Sequence, residues 1–426
     1  MRSFGIDFGT TNSAVAVAND GGGVALAHFT EKDGLSETFR SILYFERTEG
    51  ELARDRVAVG GEEAIERYLA SDGSGRLVQS LKSYLADRAF ASTNLFGRTT
   101  TLVELLGFLG RALRVRAEME LGPIDGRVVV GRPVHFSSGR GDDDDAFAVE
   151  RLRAALALAG FRDVVFEYEP VAAAYYYESR LDHDETVLVA DFGGGTSDFS
   201  LVEVGPTKRR GARRILASDG VGLAGDALDA KIVDHVVAPA LGRGTLYRSM
   251  MGKELDVPVW LYGRLRKWHH LSFLKSKRTM ELLQEIVDSA DEPQKIRGLL
   301  HLIDHDLGYQ LARTVERTKV ALSASASARF VFESAPVHLE AEITRADFEG
   351  WIAAEVSAME ECVDRVLARA GLAAADVDRV FMTGGTSFVP VVRAIFESRF
   401  GAGKISAGGE MISVASGLAL RGRDLE

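Results

Sequence analysis

One short motif, with residue types suited to phosphate chemistry, occurs twice in the chain, nearly half its length apart. Residues 5–17 read GIDFGTTNSAVAV, and residues 190–202 read ADFGGGTSDFSLV. In each copy an apolar stretch leads to an aspartate, a glycine- and hydroxyl-rich turn follows, and an alternating stretch leaves the turn. A turn stripped of Cβ atoms lets backbone N–H groups converge on an anion. The repeat therefore predicts two turns that together bind a magnesium-phosphate group.

The aspartates of the two copies, Asp7 and Asp191, are candidates for holding a hydrated Mg²⁺. Mg²⁺ takes oxygen ligands, keeps several waters and favours sites shared with phosphates. Alternatively, each aspartate only hydrogen-bonds its own turn. The matched pair favours the metal role.

The turn residues are candidates for phosphate contact, and they are Gly9, Thr10, Thr11, Asn12, Gly193, Gly194, Gly195 and Thr196. Neither turn has the Walker spacing, which ends in Gly-Lys-Ser/Thr. The second turn is alternatively an ordinary hairpin turn. Three consecutive glycines after a buried strand and an aspartate favour the phosphate role.

Glu169 and Lys82 are weaker candidates. Glu169 precedes Pro170 at a predicted strand-to-helix junction, where a carboxylate either binds a metal-bound water or complements the helix dipole. The residues alone favour neither role. Lys82 follows Gln79-Ser80-Leu81, and most lysines are solvated surface groups.

Three further segments carry charge or aromatic residues but have simpler interpretations. The acidic run Asp142–Asp145 is predicted to be a solvated loop before a helix rather than a cation site. The basic residues within 208–214 (KRRGARR) indicate a solvated hairpin tip rather than a nucleic-acid patch. Residues 257–270 (VPVWLYGRLRKWHH) either form a partner surface or, as we prefer, pack half-buried as a helix. His269 and His270 are adjacent, so they are a poor pair of metal ligands.

The elements around these motifs predict a duplicated α/β plan. Residues 3–30 predict a three-strand meander that includes a glycine-rich hairpin at 19–23 and a returning strand over 24–29, and residues 187–218 repeat it. Leucine spacing predicts a helix over 98–120, and alanine and leucine predict another over 146–159. A strand over 380–382 leads into a third glycine turn, and a helix over 414–420 comes near the end of the sequence.

Composition narrows the class of protein. The 426 residues allow two to four domains, and the net charge of −11 argues against broad nucleic-acid binding. Cys362 is the single cysteine, so no intramolecular disulfide forms and a reducing cytoplasm is expected. The start of the chain does not resemble a signal peptide, and no apolar run approaches the ~20 residues that span a bilayer.

Four stretches together resemble the nucleotide-binding domain of DnaK-type, seventy-kilodalton heat-shock chaperones, within the actin and sugar-kinase superfamily. They are residues 5–13, 187–200, 169–174 and 384–390. The resemblance runs in order from residue 3 to about residue 420, and the length looks closest to the short YegD-like branch.

The resemblance implies an α/β, actin-like ATPase fold with two lobes, each built on a ribonuclease-H-like core with an inserted subdomain, and with a nucleotide cleft between them. Lobe I would cover residues 1–181 with its insertion at about 36–105. Lobe II would cover 182–404 with its insertion at about 227–334. Residues 405–426 would close the domain and return to lobe I, and no peptide-binding domain is expected.

The resemblance also implies site roles with ATP or ADP and Mg²⁺ as cofactors. Asp7, Glu169 and Asp191 would hold the metal, largely through water, Lys82 would position the attacking water, and Asp198 would assist it. Thr196 would act in catalysis and contact phosphate together with the two turns. The nucleoside would meet Gly225, Glu316, Lys319, Ser323, Gly384, Gly385, Thr386 and Phe388.

Three departures from the family pattern stand out. Arginines that usually sandwich the adenine are replaced by Val320 and Phe388, which predicts weaker or less selective base binding. The acid usually found before the last helix aligns with Met411. The given sequence ends at Glu426, where the family pattern continues into an interdomain linker and a β-sandwich, so we expect no peptide clamp in cis.

Three functions fit this sequence. The favoured one is an ATP-binding, slowly hydrolysing, chaperone-like switch. Its expected partner is a co-chaperone or a nucleotide-exchange factor, and we expect it to bind neither nucleic acid nor a membrane. The alternatives are a small-molecule kinase on the same scaffold and an actin-like filament protein.

Overall fold

The computed structural model describes residues 2–19, 23–31, 34–47, 56–71, 75–136, 139, 141–178, 181–207, 215–249, 251–268, 271, 274–406 and 413–425. The strands are β1 (Ser3–Asp7), β2 (Asn12–Ala18), β3 (Val24–Leu26), β4 (Phe29–Glu31), β5 (Gly34–Ser36), β6 (Phe39–Arg40), β7 (Ile42–Arg47), β8 (Arg56–Gly60), β9 (Arg76–Gln79), β10 (Ser92–Leu95), β11 (Arg98–Thr101), β12 (Val128–Arg132), β13 (Val164–Tyr168), β14 (Glu185–Phe192), β15 (Ser197–Val204), β16 (Ile215–Val221), β17 (Leu246–Arg248), β18 (Glu254–Asp256), β19 (Ser327–Ser334), β20 (Val337–Thr344), β21 (Arg379–Thr383) and β22 (Ile405–Ser406).

The helices are α1 (Glu62–Ala70), α2 (Leu102–Leu121), α3 (Asp142–Leu158), α4 (Glu169–Glu178), α5 (Gly225–Ile232), α6 (Ala238–Ala240), α7 (Val259–Gly263), α8 (Lys277–Ser289), α9 (Pro293–Asp304), α10 (Gly308–Ala324), α11 (Arg345–Trp351), α12 (Ala353–Ala370), α13 (Pro390–Phe400) and α14 (Ser413–Asp424). Short 3₁₀ turns cover Leu81–Tyr84, Ala374–Asp376, Gly385–Phe388 and Ala402–Lys404, and a π-helical stretch covers Val233–Val237.

The two main sheets repeat one topology. The first has the order β13-β12-β1-β2-β3, and the second has the order β22-β21-β14-β15-β16. In each sheet a three-strand antiparallel meander is extended by two parallel strands beside its first strand. The duplicated meander predicted from the two motifs is confirmed.

The chain forms two compact units. Unit 1 comprises Met1–Gly222, Ala358–Ser387 and Val392–Glu426 and contains both main sheets. Unit 2 comprises Leu223–Ser357 and Phe388–Val391 and contains α5–α11 with the β17–β18 and β19–β20 hairpins. The lobe boundary predicted at residues 181/182 lies within unit 1 and stays a prediction.

Helices α4 and α14 supply the apolar interior beside the two sheets of unit 1. Three consecutive alanines of α4, Ala172–Ala174, share a core cluster with Val189 of β14 and Leu418 of α14. The helices approach closely at Gly417, where a Cβ atom would lie 1.8 Å from the carbonyl oxygen of Ala172. Only glycine allows this approach, which fixes how α14 lies on α4.

Unit 2 has its own interior. Leu228 and Ile232 of α5, Leu299 and Leu302 of α9, and Phe330 of β19 are fully buried. Fully burying side chains of this size stabilises a fold by roughly 1.5–3 kcal/mol each.

Some predicted element boundaries are wrong for local reasons. The helix predicted over 98–120 begins at Leu102, because Thr101 and Glu104 form a capping box and residues 98–101 are a strand. The helix predicted over 146–159 begins at Asp142, so the acidic run is the first turn of α3 and not a loop. The returning strand predicted over 24–29 ends at Leu26, and Phe29 begins a separate strand. Part of the hairpin at 19–23 lies outside the described residues.

Candidate functional site

The first glycine turn carries Asp7 out of a buried strand. Asp7 is the last residue of β1 and pairs in register with Ala14 of β2. The backbone N–H of Gly9 donates to Ser13 Oγ at 3.2 Å. A Cβ atom on Gly9 would lie 1.9 Å from the carbonyl oxygen of Asn12, so no larger residue fits there. The turn is thus held in one compact conformation with Asp7 at its base.

The second turn has the same placement with a different hydrogen-bond pattern. Asp191 of β14 lies directly opposite Asp198 of β15 in the antiparallel register. Between them, the N–H of Gly193 donates to the carbonyl of Thr196 at 2.8 Å. The Thr196 hydroxyl donates to Asp198 Oδ2 at 2.9 Å. The turn therefore presents two carboxylates and one hydroxyl at the end of one strand pair.

Lys82 and Glu169 form a mostly buried ion pair. Lys82 Nζ donates to Glu169 Oε1 at 2.7 Å, and each side chain is 10% exposed. Lys82 lies in the 3₁₀ turn Leu81–Tyr84, and Glu169 is the first residue of α4. A Cβ atom on Gly131 would lie 3.0 Å from Glu169 Cγ, so the glycine leaves room for this carboxylate.

The carboxylates of these three elements interact electrostatically. Burial, followed by the charge of Glu169, raises the pKa of Asp7 to about 7, although Lys82 partly offsets this. Burial and the neighbouring carboxylates Glu169, Asp7 and Asp198 raise the pKa of Asp191 well above its usual range. The pKa of Asp198 is raised to about 6, mainly by burial, although the hydrogen bond from Thr196 lowers it. The structure thus brings the predicted metal and catalytic residues together.

Lys82 is the cation of this cluster, and its ammonium is held in the charged form. Burial alone would lower its pKa, but the charges of Glu169, Asp7 and Asp191 outweigh burial and raise it. One ammonium faces four carboxylates, so the cluster carries excess negative charge. An all-oxygen donor set with excess negative charge suits a hydrated Mg²⁺. The residues present therefore fit the metal that the resemblance implies.

The remaining residues of the first turn are tied to the neighbouring strand. The carbonyl of Thr11 accepts from the N–H of Ser41 at 2.8 Å, and Asn12 Oδ1 accepts from Arg40 at 3.3 Å. Ser13 Oγ and Ser41 Oγ are 2.8 Å apart. These hydrogen bonds fix the conformation of the turn. The predicted contact of Thr10, Thr11 and Asn12 with phosphate stays a prediction.

Four of the predicted nucleoside residues of unit 2 lie on two helices, α5 and α10. Glu316, Lys319 and Ser323 belong to α10, and Lys319 Nζ pairs with Asp229 Oδ1 of α5 at 2.9 Å. Lys319 Nζ also lies 3.4 Å from the carbonyl of Gly225. Glu316 pairs with Arg313 at 2.9 Å. The helix predicted around residues 315–323 is confirmed, while the nucleoside contacts stay predictions.

The third glycine turn follows β21 in unit 1. Gly384 has φ of 87°, and a Cβ atom there would lie 1.9 Å from the carbonyl oxygen of Phe192. The Gly384 carbonyl accepts from the backbone N–H and hydroxyl of Ser387, and Thr386 is buried. Two side chains that replace the usual arginines are exposed, Val320 by 61% and Phe388 by 53%.

His135 escaped the sequence analysis, and its partner Asp145 was assigned there to a solvated loop. His135 Nδ1 lies 2.7 Å from Asp145 Oδ2, and the other oxygen of Asp145 accepts from the N–H of Phe136 at 2.8 Å. His135 also lowers the pKa of Asp198, which lies within its electrostatic reach. Asp145, predicted to be solvated, is therefore a buried structural acid. The only local signal for the burial of Asp145 was its position three residues after Asp142, in the first turn of the helix.

Several predicted features lie outside the described residues. They are the basic residues within 208–214, the histidines at 269 and 270, and Met411. Among the described residues, no helix combines the length and apolar character needed to cross a membrane.

The sequence comparisons agree with this architecture. A family model described as "Hsp70 protein" matches residues 3–243 and 284–423. The chain belongs to the Hsp70 family, and the predicted α/β class with an actin-like ATPase fold is confirmed.

Two curated relatives carry the name "Chaperone protein DnaK". The protein from Trichormus variabilis is 25% identical over 411 residues, which cover 93% of this chain and 51% of the relative. The protein from Thermosipho africanus is 26% identical over 399 residues, which cover 93% of this chain and 54% of the relative. The chain thus spans about half the length of these curated relatives.

Proposed function

We propose that the protein is a nucleotide-binding, chaperone-like switch that binds ATP and ADP with Mg²⁺ and hydrolyses ATP slowly. The observation that carries the proposal is the convergence of Asp7, Glu169, Asp191 and Asp198 around the Lys82 ammonium, beside two glycine turns. Phosphoryl transfer depends mostly on positioning and charge neutralisation, which this arrangement supplies.

In this proposal Asp7, Glu169 and Asp191 hold the metal through its water ligands. Bound Mg²⁺ would neutralise negative charge on the phosphates in the transition state. The backbone N–H groups of the two glycine turns, with the hydroxyls of Thr10, Thr11 and Thr196, would bind the phosphate oxygens. The excess carboxylate charge is what makes the site dependent on a divalent cation.

Lys82 and Asp198 would act on the attacking water. Glu169 holds the Lys82 ammonium at 2.7 Å, so its remaining N–H groups can orient a water oxygen. Asp198 accepts a hydrogen bond from Thr196 and has a pKa of about 6, so it is mostly ionised at neutral pH and can accept a proton.

The candidates for nucleoside contact in unit 2 are Gly225, Glu316, Lys319 and Ser323, and those in unit 1 are Gly384 and Gly385. Because Lys319 is already paired with Asp229 at 2.9 Å, its donor would be shared with the ribose hydroxyls. The exposed Phe388 would stack on the base without the cation–π contribution of an arginine. We therefore propose weaker or less selective base binding than the arginine sandwich gives.

The proposal extends to partners and location. A nucleotide-exchange factor or co-chaperone would couple to the nucleotide state. A cytoplasmic location fits a sequence with a single cysteine, Cys362, and therefore with no intramolecular disulfide.

The test is calorimetric binding of MgATP and MgADP combined with phosphate release in the absence of any acceptor. Asp191→Asn and Thr196→Ala should slow phosphate release by orders of magnitude while leaving the fold intact. Asp182→Asn is the matched control, because its side chain is 96% exposed.

The outcomes separate the proposal from its alternatives. Absence of binding heat at millimolar nucleotide, or unchanged turnover in both site variants, would refute the nucleotide-binding proposal. Transfer of phosphate to a sugar or polyol would identify a kinase instead. ATP-dependent sedimentation of polymers would identify a filament protein.

A further inference from the structure

The segment 244–283 is the internal part of the chain that the Hsp70 family model leaves unmatched. It lies in unit 2 and contains the β17–β18 hairpin, α7 and the start of α8. It is anchored rather than detached, because Leu261, Tyr262 and Leu265 are buried and Tyr262 Oη donates to the carbonyl of Leu241 at 3.1 Å. We call this segment the basic insert.

The basic insert has the opposite charge to the chain as a whole. It holds eight lysines and arginines against three aspartates and glutamates, whereas the whole chain has a net charge of −11. Some of its cations are neutralised within unit 2, since Arg266 pairs with Asp234 at 2.9 Å and Lys275 with Asp306 at 2.7 Å.

Other cations of the basic insert remain available. Lys253, Arg264 and Arg278 are exposed, and none of the three makes an ion pair with another described residue. Cations without intramolecular partners, in a protein with excess acid elsewhere, are an electrostatic signal for an acidic partner.

Apolar side chains are exposed on the same elements. Val259 is 69% exposed and Trp260 is 50% exposed on α7, next to Leu255 at 43% on β18 and Met251 at 89% at the hairpin turn. Single exposed apolar residues are common, but four within ten residues, one of them a tryptophan, indicate an interaction surface. Tryptophan is enriched among the residues that carry most of the binding energy of interfaces.

We propose that the basic insert docks an acidic protein segment that carries apolar side chains. The free cations would attract the acidic residues of the segment, and Val259 and Trp260 would bury its apolar residues. The occupant is a protein segment rather than nucleic acid, because a phosphate backbone offers no apolar partner for the exposed Met251, Leu255 and Val259.

The test uses a labelled synthetic peptide of Glu and Asp interrupted by leucines, with fluorescence anisotropy as the readout. The wild-type protein should bind it, and binding should weaken as salt is raised. Lys253→Glu with Arg264→Glu should weaken binding by about tenfold or more, and so should Val259→Ser with Trp260→Ser. The two pairs separate the electrostatic part of the surface from the apolar part.

Matched controls lie in unit 1. Arg162→Glu reverses an exposed cation, and Met119→Ser removes a methionine that is 74% exposed. Both should leave peptide binding unchanged. All variants should keep the wild-type melting temperature except Val259→Ser with Trp260→Ser, which should melt slightly lower because Trp260 is half-buried.

Four results would overturn the proposal. The first is no binding of the acidic leucine peptide by the wild-type protein. The second is equal binding of a peptide whose acids are replaced by Gln and Asn. The third is tighter binding of a single-stranded oligonucleotide than of the peptide. The last is self-association of the protein alone that Val259→Ser with Trp260→Ser abolishes, which would assign the surface to a second copy of this chain.

Discussion

Replacing Lys82 with alanine removes the cation that the site carboxylates share. In the structure Lys82 Nζ lies 2.7 Å from Glu169 Oε1, and both side chains are 10% exposed. Asp7 and Asp191 also stabilise the charged ammonium. In the variant, the four carboxylates of the cluster would face one another without compensation, in the absence of a divalent cation.

The magnitude follows from the distance and the burial. At 2.7 Å and an effective dielectric constant of about 20, the direct attraction is roughly 6 kcal/mol before the cost of desolvating the ammonium is subtracted. Breaking a buried ion pair by removing one partner destabilises proteins by about 3–5 kcal/mol. Because the pair keeps some solvent contact, we expect the metal-free variant to lose about 3 kcal/mol of unfolding free energy at pH 8.

The pH dependence has a definite sign. Loss of the cation raises the pKa values of the site carboxyls further above their values in the unfolded chain. The native variant then binds more protons than the unfolded chain, so its stability rises as pH falls. Since Asp7 has a pKa of about 7 and Asp198 of about 6 in the wild type, the deficit of the variant should shrink between pH 8 and pH 6.

The assay is urea denaturation at pH 8 and pH 6 without divalent ions. Lys275→Ala is the control, because Lys275 pairs with Asp306 at the same 2.7 Å distance but is 32% exposed, and it should lose about 1 kcal/mol or less. The double variant Lys82→Ala with Glu169→Gln should lose less unfolding free energy than the two single variants lose in sum. A loss no larger than that of Lys275→Ala, with no change between the two pH values, would refute the shared-cation interpretation.

Three further predictions test separate features. Without divalent ions, wild-type stability should fall as pH rises from about 4 to about 7, because the pKa of Asp7 is raised to about 7, and Asp7→Asn should flatten this dependence in denaturation curves. Gly384→Ala should lower the melting temperature more than Gly401→Ala. Both glycines have positive φ, but a Cβ atom at Gly384 would lie 1.9 Å from the Phe192 carbonyl oxygen, whereas Gly401 has open space around it. Equal decreases in melting temperature would contradict this prediction. Cys362 should resist a thiol reagent until urea unfolds the protein, because it is fully buried and burial raises its pKa to about 12. Rapid labelling of the folded protein would disprove this prediction.

Local patterns predicted the elements that carry the site. The two glycine turns lie where the motifs predicted them. A strand and a glycine turn depend mainly on neighbouring residues, so a short stretch of sequence is enough to predict them. The end of β21 before Gly384 and the helical run around Lys319 followed from the same kind of pattern. The start of α2 was misplaced, because the capping box of Thr101 and Glu104 overrides the helical spacing that precedes it.

Contacts between distant residues escaped prediction. The residues around Lys82 made it only a weak site candidate, because its partner Glu169 lies 87 residues away and makes it a mostly buried ammonium. Asp145 was expected in a solvated run, but it is buried and bonded to His135 and Phe136 in the segment that follows β12. By contrast, Trp260 was predicted to pack half-buried on a helix, and it lies half-buried on α7, as predicted.

The sequence by itself determined the repeated turns and therefore the position of Asp7 and Asp191 at two strand ends, because strand and turn formation depend on neighbouring residues. Tertiary structure alone decided which carboxylates share one ammonium and how far their pKa values rise. The physical reason is that desolvation and Coulomb energies depend on distances in space, and the pairing of sheets and helices across hundreds of residues sets those distances.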